Sequence, residues 1–141
     1  MSKSAQIKLL AILAFSTPCA AAAQAGSRDL VSQQVAIKLR PSYQKCLDAT
    51  GGVTPDMKSC MSAEFGYQDK RLNTAYKRLM SSMTADEKTA LRADERDWIK
   101  HKESQCVPDP AGGQAEELVA YDCAVNETAR RATALEGRLP K

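Results

Sequence analysis

The stretch TPDMKSCMSAEFGYQDKRLNTAYKRLMSSM, residues 54–83, decides the fold class of this 141-residue chain. It begins with helix signals: Thr54 as the N-cap, Pro55 at the first helical position and Asp56 in the first turn. Apolar side chains then recur every three, four or seven residues, which predicts one apolar stripe along a helix of about seven turns. The stripe consists of Met57, Met61, Phe65, Leu72, Tyr76, Leu79 and Met83. The opposite side of this helix carries the cations Lys70, Arg71, Lys77 and Arg78.

The residues before this stretch predict a shorter helical region. Apolar residues within 30–39 have helical spacing, Pro41 interrupts the pattern, and residues 43–48 continue it for another turn or two. Gly51 and Gly52 are expected to end this region, because glycine terminates helices readily.

Two further helices are predicted downstream. Thr84 and Glu87 have the spacing of a capping box, which begins a charged helix that closes at Cys106. Residues 108–113, PDPAGG, break the pattern before a last helix. The apolar stripe of that last helix consists of Leu118, Tyr121, Val125, Ala129, Ala132, Leu135 and Leu139. Because strand alternation is absent, we expect an all-α fold, a small bundle of three to four helices in one domain over residues 26–141.

The first 25 residues have the features of an export signal. Lys3 and Lys8 precede the apolar run LLAILAF at residues 9–15, and residues 23–25 fit the small-x-small rule of signal peptidase. Cleavage after residue 23 is an alternative. We expect a signal peptide over residues 1–25 that is cleaved, and a periplasmic or secreted mature chain. The apolar run is shorter than the roughly 20 residues that span a bilayer, so no membrane insertion is expected after cleavage.

Four cysteines remain once Cys19 leaves with the signal: Cys46, Cys60, Cys106 and Cys123. An even number of cysteines in an exported chain predicts two disulfides that staple the bundle. Of the three possible pairings, the local one, 46–60 and 106–123, is the simplest. A metal site is disfavoured, because no cysteine pair has C-x-x-C spacing and His101 is the single histidine.

The sequence contains no visible catalytic set and no cofactor motif. Nucleophilic catalysis needs a Ser or Cys beside a base, and His101 lies between two lysines, where an exposed side chain is expected. Loss of Lys3 and Lys8 lowers the basic count from 20 to 18, against 17 acidic residues. Such a balance disfavours a nucleic-acid partner. We therefore expect a protein that acts by binding and is not an enzyme.

From Cys60 onward, the sequence resembles a known family, the lysozyme-inhibitor LprI-like N-terminal domain family. The first part of the family signature is matched by Cys60, Met61, Glu64, Asp69, Leu72, Asn73, Tyr76 and Leu79. The second part is matched by Glu95, Trp98, Cys123, Thr128, Arg131 and Leu135. Lys102 and Glu103 stand where the family has Arg-Asp, which preserves the charges. Cys46 fits the first cysteine of the family, and the family's cysteine positions support the two local bridges.

The resemblance implies an exported helical domain that binds and inhibits lysozyme or another cell-wall hydrolase. Inhibition requires occlusion of a cleft lined by two carboxylates. The candidates for insertion are the loops at residues 107–114 and 51–55, each beside a predicted disulfide. The charge balance counts against strong steering to a basic lysozyme, which would need a negative patch; the acidic run Asp94, Glu95 and Asp97 is the candidate for one. The alternative is an envelope interaction module with a partner other than lysozyme.

The motif residues are expected to be structural or to form a binding surface. Leu72, Tyr76, Leu79 and Trp98 lie on apolar stripes and are expected to pack in the core, with Trp98 as its largest contributor. Asp69 and Asn73 are four residues apart on one helix and can hydrogen-bond to each other. One polar network is expected from Glu64, Asp69, Asn73, Lys102, Glu103 and Arg131. A binding surface made of the same residues is the alternative.

Overall fold

Helices make up most of the computed structural model, which describes residues 37–140. The four helices are α1 (Pro41–Ala49), α2 (Thr54–Ser82), α3 (Ala85–Gln105) and α4 (Gly113–Gly137). These residues include no strand, so the predicted all-α fold is confirmed. The predicted signal peptide at residues 1–25 lies outside the described part of the chain. Within that part, no helix is long and apolar enough to cross a bilayer.

Helices α2 and α4 lie side by side and run in the same direction. Lys58 pairs with Glu117 near their first turns, and Arg71 pairs with Glu136 further along both helices. The main core lies between these two helices and one residue of α3. Its buried members are Leu72, Ala75, Leu79, Leu91, Ala132 and Leu135. Most of the predicted stripes on α2 and α4 therefore face each other, which buries apolar surface on both helices.

Helix α1 covers the other end of the α2–α4 pair. Its Tyr43 is buried in a second apolar cluster, and its hydroxyl donates a hydrogen bond to Asp122 of α4 at 3.3 Å. Burial raises the pKa of Tyr43 to about 12, and the neighbouring carboxylate of Asp122 adds to the effect. The other buried members of this cluster are Cys60, Met61 and Val125. Gly51 and Gly52 follow α1 with φ of +59° and +83°, a region that favours glycine, so the predicted end of this helix is confirmed.

Helix α3 brings the chain back along the α2–α4 pair. It begins at the predicted capping box, in which the Glu87 carboxylate accepts from the Thr84 N–H at 2.8 Å. It runs antiparallel to α4, with Glu95 opposite Arg131. At 1.5 Å per residue its 21 residues span roughly 30 Å. Only Leu91 and Glu95 of this helix are buried, so α3 lies on the surface of the core.

Both disulfides form the predicted local pairs. Cys46–Cys60 joins α1 to α2 with a Cα–Cα distance of 5.8 Å, and Cys106–Cys123 joins the end of α3 to α4 with a Cα–Cα distance of 5.4 Å. The predicted pairing is therefore confirmed. Each bridge closes a short loop and stabilises the fold by about 3 kcal/mol on the loop-entropy model.

Two helix starts differ from the prediction, and both involve proline. Pro41 begins α1 and does not interrupt a longer helix, because residues 37–40 are not helical and Arg40 is extended. Proline disfavours the helical conformation of the residue before it, and it fits the first turn, where its missing N–H has no intrahelical partner. Helix α2 begins one residue earlier than predicted, with Val53 and not Thr54 at the N-cap.

Trp98 is not the largest core contributor that the sequence predicted. Its side chain is only partly buried at the edge of the main cluster, whereas Leu79, Leu91 and Leu135 are fully buried. The reason is its position on α3, which contacts the other helices along a narrow line. The interior is therefore built mainly from aliphatic side chains.

Substitution of Leu135 tests the assignment of the core. Leu135 is fully buried between α2, α3 and α4, and so Leu135→Ala is expected to lower the free energy of unfolding by about 2–5 kcal/mol. Urea unfolding of the oxidised protein, followed by circular dichroism, measures the change. Val119 is 60% exposed on the same helix, and Val119→Ala should change stability by less than about 0.5 kcal/mol. Similar losses for the two variants would contradict the assignment.

Candidate functional site

An open groove with a volume of about 450 Å³ lies between α2 and α3. Seven of the motif positions named from the sequence line this groove: Asp69, Leu72, Asn73, Tyr76, Glu95, Trp98 and Lys102. The remaining lining residues are Arg92, Arg96 and Ile99. We name this surface the α2–α3 groove. It is the feature of the described chain that gathers most of the motif in one place.

Helical periodicity explains why distant motif residues meet here. Residues 69, 72, 73 and 76 follow one another at three- and four-residue spacing and share one face of α2. Residues 92, 95, 96, 99 and 102 do the same on α3. The sequence predicts each row separately, but the return of α3 along the core is what places the two rows opposite each other.

The α2 wall of the groove offers hydrogen-bond acceptors. The amide of Asn73 donates to the Asp69 carboxylate and to the Asp69 carbonyl oxygen, each at 2.9 Å. The hydrogen bond expected between these two residues is therefore present. Both side chains are exposed, so their remaining oxygens are free to accept from a partner. This pair rigidifies the rim and does not enter a buried network.

Cations lie against the aromatic residues at one end of the groove. The Lys102 ammonium is 5.1 Å from the ring centroid of Trp98 and 5.6 Å from that of Phe65. The Arg131 guanidinium carbon lies 5.9 Å from the Trp98 centroid. Such cation–π contacts are attractive within about 6 Å. Lys102 therefore connects an aromatic ring of α2 with one of α3.

An ion pair between Arg131 and Glu95 fixes α3 on α4. The guanidinium donates to one Glu95 oxygen at 2.6 Å and 3.0 Å, and it donates to Asp94 at 3.3 Å. The side chains of Arg131 and Glu95 are 17% and 12% exposed, so solvent screens this pair less than a surface pair. The pair anchors the middle of a helix that has few buried apolar residues.

The acidic run on α3, the candidate for a negative patch, is paired with cations. Glu95 is buried and paired with Arg131, and Asp94 is shared between Arg131 and Arg138. Asp97 lies 4.0 Å from the ammonium of Lys100. The acidic residues of this run thus have nearby cations, which cancel much of their field beyond a few ångströms.

The arginines on the α3 wall have a different environment. Arg92 and Arg96 are exposed, and no acidic side chain of residues 37–140 forms an ion pair with either of them. The α3 wall is therefore positive, whereas the α2 wall presents oxygens. Tyr76 and Ile99 add apolar surface between the two walls. This arrangement can bind a partner through charge, hydrogen bonds and apolar contact.

The predicted polar network does not form as one unit. Glu64 is buried elsewhere on α2, where it accepts from the Arg40 backbone and side chain at 3.1 Å and 2.7 Å. Five residues separate Glu64 from Asp69, which places them about 140° apart around the helix. Glu103 is exposed, and Thr128 is buried on α4 with its hydroxyl donating to the Ala124 carbonyl. These motif residues thus have separate structural surroundings.

The structure contains a different polar network, which the sequence analysis missed. Gln68 donates to Glu64 at 2.6 Å and to the Lys38 carbonyl at 2.9 Å. Arg71, predicted on the exposed side of α2, instead donates to Glu136 of α4 at 2.6 Å and 2.9 Å. This hydrogen bond from Arg71 holds the pKa of Glu136 below its usual range. The spacing of residues 64, 68 and 71, which share one face of the helix, was the sequence signal that could have indicated this network.

The network satisfies the polar groups that the fold buries. Every buried side-chain nitrogen and oxygen among the described residues has a hydrogen-bond partner. The same residues include no group of three or more His, Cys, Asp or Glu placed to hold a metal ion.

A family model described as Lysozyme inhibitor LprI matches residues 46–135. The chain belongs to this LprI lysozyme-inhibitor family. The match begins at Cys46 in α1 and ends at Leu135 in α4, so it includes both disulfides and both walls of the α2–α3 groove. The family resemblance that the motif residues indicated is therefore confirmed. Comparison with curated proteins and with solved structures returned no significant match.

Adjacent arginines on α4 test how α3 is held in this LprI-family chain. Arg131→Ala leaves Glu95 without its partner in a largely buried position, and we expect a loss of about 2–4 kcal/mol in the free energy of unfolding. Arg130 is exposed and pairs with Glu127 one turn away, so Arg130→Ala should cost less than about 1 kcal/mol. Thermal and urea unfolding measure both variants. Equal stability of the two variants would contradict an anchoring role for Arg131.

The pH dependence of stability tests the site of Glu64. Burial raises the pKa of Glu64, but the hydrogen bonds from Arg40 and Gln68 outweigh it, so the net pKa is lowered from its ordinary value of 4.5. A lowered carboxyl pKa in the folded state stabilises the fold above the ordinary pKa, and this contribution is lost as the pH falls through the lowered pKa. The gap in unfolding free energy between wild type and Glu64→Gln should therefore be widest near neutral pH and narrow below about pH 4.5. Urea unfolding between pH 7 and pH 3 measures it, and a constant gap would contradict the assignment.

Proposed function

We propose that this chain is an exported protein that binds and inhibits lysozyme-type muramidases. The observation that carries the proposal is the match of residues 46–135 to a family described as a lysozyme inhibitor. Two disulfides support a site of action in the periplasm or outside the cell, because such bonds persist in oxidising compartments. The sequence features of residues 1–25 support a signal peptide that precedes a mature domain over residues 26–141.

Inhibition of this kind requires occupation of a cleft and no chemical step by the inhibitor. A muramidase hydrolyses its polysaccharide with two carboxyl groups inside a cleft, and a protein that fills the cleft keeps the polysaccharide out. The folded chain suits this task because two disulfides and a satisfied polar interior favour a rigid body. A rigid inhibitor loses little conformational entropy on binding.

We favour the α2–α3 groove and its rim as the contact surface. Seven motif residues line the groove, and its exposed wall residues are free to contact a partner. The two loops predicted from the sequence, at residues 51–55 and 107–114, remain further proposed contacts. Because α2 and α4 are parallel, both loops lie at the same end of the bundle. One loop precedes α2, and the other joins α3 to α4. Val107, for example, is 64% exposed.

Association should depend mainly on close contacts. The mature chain would carry nearly equal numbers of acidic and basic residues, and the acidic run on α3 is paired with cations. Neither feature provides a strong field that would attract a basic enzyme over long distances. The affinity must then come from the fit and chemistry of the contact surface.

A lysis assay tests the proposal directly. The full chain is exported into the periplasm of a bacterial host, purified with its disulfides intact, and added in excess to a c-type lysozyme acting on a cell-wall suspension. We expect the lysis rate to fall as the protein rises through the micromolar range, because a bound inhibitor blocks the cleft. The fully reduced and alkylated chain is the control and should inhibit much less, because loss of both bridges removes about 6 kcal/mol of stability.

Failure against several muramidases would overturn the proposal. If c-type, g-type and i-type lysozymes are all unaffected at micromolar protein, the chain does not act as a lysozyme inhibitor. Crosslinking in periplasmic extract, followed by identification of a partner that is not a muramidase, would then favour the alternative of an envelope interaction module.

A further inference from the structure

Helix α3 forms a ridge that carries two adjacent arginines. Only Leu91 and Glu95 of its 21 residues are buried, and most of the others are exposed. Arg92 and Arg96 are exposed and lack an acidic partner among the residues that the structure describes. Asp94 and Glu95 of the same helix are paired with arginines of α4, so their charges are already balanced there. We name Arg92 and Arg96 the α3 arginine pair.

The backbone rise between the two arginines is compatible with the separation of a glycosidase's catalytic carboxyl groups. Four residues along a helix correspond to a rise of about 6 Å. The two catalytic carboxyl groups of glycoside hydrolases lie about 5 to 9.5 Å apart, depending on the stereochemistry of the reaction. Two flexible arginine side chains one turn apart can span this range. A guanidinium also binds a carboxylate through two parallel hydrogen bonds, which is the strongest common pairing for that group.

We propose that α3 enters the catalytic cleft of the inhibited muramidase and that Arg92 and Arg96 each bind one of its two catalytic carboxylates. This inference rests on the proposed function, and it names the contact residues and the chemistry that they recognise. Charge complementarity carries it: the ridge presents two arginines that have no ion-pair partner among residues 37–140, and the cleft presents two carboxyl groups that must remain accessible for catalysis.

The surroundings of the arginine pair fit this mode of binding. A single α-helix is about 10–12 Å wide with its side chains, which is a suitable width for a rod that enters an enzyme cleft. Ile99 is 41% exposed one turn beyond Arg96, and it can pack against apolar surface at the edge of the cleft. Across the groove, the free oxygens of Asp69 and Asn73 can accept hydrogen bonds from the rim of the enzyme. The capping box fixes the start of α3, and the disulfide at Cys106 ties its end to α4.

This mode of binding has a kinetic consequence. An inhibitor that occupies the carboxylates excludes the polysaccharide, so inhibition should be competitive with a soluble oligosaccharide substrate. The inhibitor should then raise KM and leave kcat unchanged. Binding at a distant surface would lower kcat or leave both parameters unaffected.

Two double variants with the same change in charge separate this proposal from a general electrostatic effect. Arg92→Ala with Arg96→Ala removes the arginine pair. The matched control, Lys70→Ala with Arg78→Ala, removes two exposed cations that line a different cavity, on the side of α2 next to Glu136. We expect the inhibition constant against c-type lysozyme to rise by at least about 30-fold for the first variant and by less than about threefold for the control. All four positions are exposed, and unchanged circular dichroism and melting temperature verify that each variant is folded.

A variant of the enzyme tests the partner's side of the contact. Replacement of both catalytic carboxyl groups of the lysozyme by amides should weaken binding of the wild-type chain, measured by calorimetry, by at least about 30-fold. Against this enzyme, the arginine double variant should bind no more weakly than wild type does, because the interaction that it removes is already absent. Equal binding of the wild-type chain to both forms of the enzyme would overturn the inference.

The outcomes distinguish this inference from the proposed function. If the wild-type chain inhibits lysozyme and the arginine double variant inhibits equally well, the α3 contact is wrong and the inhibitor function stands. If the wild-type chain inhibits no lysozyme, the proposed function fails and this inference fails with it. If the wild-type chain and the control variant inhibit competitively and the arginine double variant does not, both the proposed function and this inference are supported.

Discussion

The parallel packing of α2 against α4 is the constraint from which the rest of the architecture follows. Burial of the apolar stripes of these two long helices supplies most of the core. Because they run in the same direction, the chain must return along their full length before α4 can begin. Helix α3 makes most of this return over roughly 30 Å, and the loop before α4 completes it. It needs few apolar residues, because the core is already closed by the other two helices. A charged and largely exposed ridge is therefore a consequence of the topology.

Polar contacts fix the positions of the helices along one another, which apolar packing alone does not determine. Leucine and alanine side chains fill space well, but they do not determine how far one helix slides along another. Arg71 and Glu136 set this register between α2 and α4, and Arg131 and Glu95 set it between α3 and α4. These pairs lie at the margins of the core, where partial exposure reduces the desolvation penalty of the charges. The α2–α3 groove keeps its shape because both of its walls are fixed to α4 or to the core in this way.

Local signals in the sequence predict the local structure well. The stripe that begins at Met57, the capping box at Thr84 and the short separation between paired cysteines all act within a few turns of chain, and each agrees with the structure. Relations between elements were not predictable in the same way. Nothing near Arg71 in the sequence indicates that Glu136, 65 residues later, approaches it. The charges of Asp94 and Glu95 suggested a negative patch for the same reason, since their partners Arg131 and Arg138 lie on another helix. Sequence patterns show which face of a helix is polar, whereas the tertiary fold decides which of those charges are neutralised.

This distinction also explains why the functional surface could be recognised only in part. The motif that resembles the LprI family consists largely of residues that hold the fold, such as Leu72 and Thr128, together with residues that line the groove. Arg92 and Arg96 do not belong to that motif, and a single sequence gives them no more weight than any other surface arginine. Two facts about residues 37–140 distinguish them: Asp94 and Glu95 are paired with arginines of α4, and no other described helix covers the outer side of α3. An inhibitor that performs no chemistry requires a rigid shape and a few uncompensated charges in the right places. Such charges are identified by their lack of partners, which is a property of the three-dimensional structure and not of the residue types.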